Sequence, residues 1–71
     1  MKINKYHPDG LCEHDRKLFD EAFRMSKDCN RWQDVKWLSS MAQDPLLESV
    51  LEETCRQMFH LREYYDDMNV E

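Results

Sequence analysis

Residues 44–68 read DPLLESVLEETCRQMFHLREYYDDM, and the spacing within this stretch decides the fold. Leu47, Leu51, Thr54, Met58, Leu61, Tyr65 and Met68 recur at alternating steps of four and three. That period is the seam of a single long helix. Its beginning is also written in the residues. Asp44 has a side-chain oxygen to accept from an unpaired first-turn N–H, and Pro45 suits the first helical position. A helix over 45–67 is about 35 Å long at 1.5 Å per residue. The rest of a 71-residue chain is expected to pack against it.

Working back from Pro45, the preceding residues predict a second helix over 31–43. Val35, Leu38 and Ala42 form its narrow stripe, widened by Trp32 and Met41. Asp44-Pro45 ends it, because a residue before proline is pushed out of helical angles. A first helix is predicted over 11–28, with Leu11, Leu18, Ala22, Met25 and Cys29 in one sector. Lys27-Asp28-Cys29-Asn30 is the break, with Asp28 or Asn30 capping the second helix. Residues 1–10 end in the turn signal His7-Pro8-Asp9-Gly10. They are expected to form a short, irregular, loosely held arm from which Ile3 and Tyr6 can tuck inward. One glycine and two prolines speak against a β-rich chain. The expected fold is a small all-α three-helix bundle in a single domain, 1–71.

Composition narrows the function classes. No apolar run approaches the roughly 18 residues of a membrane span, and the basic start lacks the apolar core of a secretory signal. Three cysteines at irregular spacing fit reduced thiols, so a cytoplasmic protein is expected. The net charge of −5 is divided unevenly. Residues 1–43 balance to +1 and residues 44–71 to −6. An acidic C-terminal half does not grip phosphates directly.

Four groups of residues bear on chemistry. His7, Cys12 and His14 lie close together and are zinc-type ligands, so a small domain with a structural zinc site is one alternative. They lack a C-x-x-C pair, and Cys29 sits at the far end of the first helix. No metal or cofactor is therefore assigned. Cys55 and His60 diverge by about 140° around one helix and do not form a nucleophile–base pair. The carboxylates read as scattered and exposed, and no enzyme is expected. The short link before Pro45 suggests a helix-turn-helix. The helix after it begins Leu46-Leu47-Glu48-Ser49-Val50-Leu51-Glu52-Glu53, and three glutamates would be repelled by a phosphate backbone.

The fourth group is a set of large aromatics off the stripes. Phe23 lies about 130° from the centre of the first stripe, Phe59 about 110° from the third, and Trp37 nearly opposite Val35. Exposed aromatics anchor protein interfaces. The expectation is a non-enzymatic regulator, adaptor or inhibitor that binds another protein, as a homodimer, through Phe23, Trp37 and Phe59. A further alternative is an acidic nucleic-acid mimic, of the kind phages and plasmids encode, acting through Glu48, Glu52 and Glu53. No motif assigns the chain to a family.

Overall fold

In the computed structural model, which describes Ile3, Tyr6 and residues 9–68 (Met68 by its backbone alone), the chain forms three helices. They are α1 (Glu13–Met25), α2 (Trp32–Met41) and α3 (Pro45–Met68), with a 3-10 turn at Cys29–Arg31 before α2. No strand occurs among the described residues. No described helix is long and apolar enough to cross a membrane. α1 and α2 pack along the first part of α3, and the chain measures 47 × 20 × 17 Å.

The helices α1 and α2 are shorter than the spacing predicts, and local hydrogen bonds give the reasons. α1 starts at Glu13 rather than residue 11. Gly10 turns at φ 83, where a Cβ would be strained, and Cys12 is an extended N-cap. α1 stops at Met25 because the chain tightens to three-residue bonds, Lys27 N–H to Arg24 O at 3.4 Å and Asp28 N–H to Met25 O at 3.0 Å. The Ser26 hydroxyl competes for Phe23 O at 2.7 Å. Asp28 then caps the 3-10 turn, accepting from Asn30 N–H at 3.1 Å. α3 begins as its residues predict, with Leu46 N–H donating to Asp44 Oδ1 at 2.8 Å.

The core is Leu18 and Ala22 of α1, Val35 and Leu38 of α2, and Leu47, Val50, Leu51, Cys55 and Met58 of α3, closed by Ile3. Ile3 is fully buried, and the Tyr6 ring meets Phe19 with centroids 5.6 Å apart. These two residues are thus held more firmly than a loose arm implies, because burying them removes apolar surface of the bundle from water. His7 and residues 69–71 lie outside the described residues, as does the side chain of Met68 at the end of the seam.

Asp15 departs from the expectation of scattered, exposed carboxylates. Its carboxylate does not face solvent with the other acids: it is buried on the α1 stripe between Leu11 and Leu18. Oδ1 accepts from Gln43 N–H at 3.1 Å and from His14 Nδ1 at 3.0 Å, and Oδ2 accepts from Asp44 N–H at 2.8 Å. This explains why α2 ends at Met41 and not residue 43. The N–H groups of Gln43 and Asp44 leave the helix direction to bond α1, and Ala42 is already extended at ψ 135. Burial pushes the Asp15 pKa upward, but the bonds from Gln43, His14 and Asp44 outweigh it and hold the value below the ordinary one. Burial, then the negative Asp44 and Asp15, push the Tyr6 hydroxyl up.

Two measurements check this architecture. Leu51 is fully buried, so Leu51→Ala destabilises by about 2–5 kcal/mol in chemical denaturation, a large part of the stability of so small a domain. Asp15 has its folded pKa lowered, so its contribution is present above the ordinary aspartate value and lost as pH falls through the lowered one. Asp15→Asn puts an amide against the inward-pointing N–H groups, lowering Tm at neutral pH by roughly 10 °C. It also flattens the acid limb of the stability profile; an acid limb identical to that of the parent shows that Asp15 is not the group that titrates.

Candidate protein-docking face

The same geometry that seats α2 on α3 leaves a groove between them. Thr54 and Cys55 of α3 turn inward, and the Cys55 thiol donates to the carbonyl oxygen of Trp32 at 3.3 Å. That contact fixes the start of α2 beside the middle of α3. One turn further along, the Trp32 and Phe59 rings meet edge to face with centroids 4.9 Å apart, a preferred aromatic geometry. Beside this pair the two helices border an open groove of 590 Å³. Trp32, Ser39, Cys55 and Phe59 form its inner surface, and Lys36, Ser40, Glu48, Glu52 and Arg56 stand along its edges.

Next to it, a hollow of 440 Å³ shares Trp32, Lys36 and Ser40 and adds Gln33 and Trp37. Trp37 is 73% exposed because Val35, two residues back, takes the core-facing direction of α2. The two hollows form one surface: apolar at Trp32, Trp37 and Phe59, with charges of both signs around it.

The other expected interface residues are dispersed. Phe23 packs against the core, lies near Phe19 at 6.2 Å and sits under the Lys27 ammonium at 5.4 Å, apart from the groove. Glu48 and Glu52 border the groove together with Lys36 and Arg56, so this edge is of mixed sign. Glu53 pairs with Arg56 at 3.5 Å and does not line the groove. Trp32 and Lys36 belong to this face, and the sequence pattern does not single them out. Trp32 sits at the edge of the α2 stripe, and only the tertiary contact with Phe59 places it in the groove.

Burial pushes the Cys55 thiol up, more than Lys36 and Arg56 pull it down, so at neutral pH it is a protonated, weakly nucleophilic group. At the N-terminal end, the Cys12 thiol lies 3.8 Å from Gln43 Oε1 and the His14 ring is held by Asp15. With His7 outside the described residues, no described cluster of three or more His, Cys, Asp or Glu is placed to hold a metal ion. Comparison of the chain with protein-family models, curated proteins and solved structures finds no match.

The exposure of Trp37 is directly measurable. In a Trp32→Phe variant, where Trp37 is the sole indole, emission lies close to that of free tryptophan and acrylamide quenches it readily. A blue-shifted, protected emission places Trp37 inside a core or an interface already formed in solution.

Proposed function

We propose that this chain is a non-enzymatic protein-binding module, a regulator, adaptor or inhibitor that acts as a homodimer and docks another protein on the α2–α3 face. The observation that carries the reading is Trp37, 73% exposed on a bundle small enough to need every large apolar side chain. Trp32 and Phe59 beside it extend the apolar surface into a groove. Tryptophan in a desolvated contact is among the strongest interface anchors, and mixed charges around an apolar centre match the usual core and rim of a protein interface. The polar groups of the groove serve orientation.

The test is affinity capture from native lysate with the full chain as bait, read against Trp37→Glu. The substitution lies on an exposed position, so helicity by circular dichroism stays unchanged. At least one protein enriched by the parent is lost with Trp37→Glu. If the captured proteins are the same with both baits, the docking face is elsewhere. A prey kept by Trp37→Glu but lost when Glu48, Glu52 and Glu53 are reversed to Lys transfers the function to the acidic residues, as nucleic-acid mimicry requires.

A further inference from the structure

The walls of the α2–α3 groove decide what kind of segment can lie in it. Both walls are helices, and the N–H and C=O groups within a helix are paired along its own axis. The side chains of the groove keep their protons as well. The hydroxyls of Ser39 and Ser40 donate to Lys36 O at 2.6 Å and Trp37 O at 2.7 Å, and the Cys55 thiol donates to Trp32 O. An extended segment laid against these walls finds no ladder of backbone partners such as a sheet edge offers. A helix pairs its own backbone and needs only an apolar surface to meet its stripe. Trp32 and Phe59 supply that surface, and the groove runs along α3 from Glu48 to Phe59, about 16 Å or three helical turns.

We propose that the groove holds an amphipathic helix of another protein, with two basic residues one turn apart on the flank that faces α3. This rests on the docking-face reading and names the chemistry of its partner. The basic flank answers the α3 edge of the groove. Glu48 and Glu52 stand one turn apart there, both exposed, and among the described residues neither carboxylate has a hydrogen-bond or ion-pair partner. Arg56, the next residue in that row, is drawn to Glu53, which does not line the groove. Lys36 stands on the opposite wall, also unpaired among the described residues, and suits an acidic residue on the other flank of the helix. Charges at the rim of an apolar contact select the partner and its register more than they set affinity.

A second copy of this chain does not supply such a flank. The stretch of α3 that its own bundle leaves bare, His60 to Asp67, is exposed throughout. It holds one arginine, Arg62, beside Glu63, Asp66 and Asp67, and so has no basic pair one turn apart.

Selection of a displayed library of random peptides, about 16 residues long to allow four turns, on the full chain tests the assignment. Enriched sequences carry apolar residues at i, i+3, i+4 and i+7 with Lys or Arg at a four-residue spacing on one flank. They gain helicity in circular dichroism when the chain is added. Glu48→Lys with Glu52→Lys weakens a selected peptide roughly tenfold, the sum of two exposed ion pairs. The fold is kept because both positions are exposed, and Glu48→Gln with Glu52→Gln gives a smaller loss in the same direction. Replacing the two basic residues of the peptide by Glu restores binding to the lysine variant. Enriched sequences that are proline-rich or lack the basic pair overturn the proposal. So does a selection that enriches nothing, or an affinity that the double reversal leaves unchanged. Light scattering of the chain without peptide gives a further overturning result: a mass of twice 8.7 kDa that the same reversal returns to the monomer makes a second copy the occupant. The two readings fail separately. Capture of a lysate protein through Trp37 without helical binders sinks only the helix, and helical binders with captured proteins unchanged by Trp37→Glu sink only the Trp37 face.

Discussion

The hydrogen bonds from Gln43 and Asp44 to the Asp15 carboxylate set the rest of the structure. They tie the start of α1 to the junction between α2 and α3 and turn the chain out of α2 two residues early. A buried carboxylate costs free energy unless its oxygens are satisfied. Here three donors satisfy them, counting His14, and the backbone N–H groups freed at the corner find partners at the same time. The junction is therefore specified by a polar contact that has one geometry, whereas apolar packing alone tolerates small slips between helices. Asp44 adds a second fixed point by capping α3 with its side chain.

With the helices pinned at this end, their unequal lengths determine what is left over at the other. α1 has 13 residues, α2 has 10 and α3 has 24, about 20, 15 and 36 Å. Two short helices cannot cover one long one, so α3 emerges bare beyond Phe59. The Trp32–Phe59 contact marks the boundary. On one side lies the packed bundle with its groove; on the other lies the overhang with Leu61 and Tyr65 uncovered. Both surfaces follow from one end being locked and the other free.

The three helices and the all-α class are legible from periodicity, because burial repeats where the stripe does: Leu18 and Ala22, Val35 and Leu38, Leu47, Leu51, Thr54 and Met58. Asp15 is not legible in this way. A charged residue on an apolar stripe reads as a solvent-facing exception, and its donors come from residues 28 and 29 positions away. The seam misleads in the opposite way. Periodicity registers that Leu61 and Tyr65 face the direction of the core but says nothing about whether another helix reaches that far. The unequal helix lengths hold that information. Trp37 is readable from its angle to Val35, while the groove beside it needs the crossing of two helices that no local pattern encodes.

The distribution of apolar side chains is the feature on which the proposed protein-binding role rests. The core accepts polar residues where an apolar one would fit the pattern: Thr54, fully buried, bonds back to Val50 O at 2.8 Å, and buried Ser39 bonds to Lys36 O at 2.6 Å. Meanwhile Trp37, Leu46, Tyr64 and Tyr65 are more than half exposed, and Met41 and Leu61 are exposed in part. For a domain of this size, burial of one large side chain is worth about 1.5–3 kcal/mol, a substantial share of total stability. A chain shaped only by its own stability would place these groups inward and keep hydroxyls outside. The opposite arrangement, with Trp37 beside the Trp32–Phe59 groove and the tyrosines beyond it, is the distribution that the proposed docking role uses.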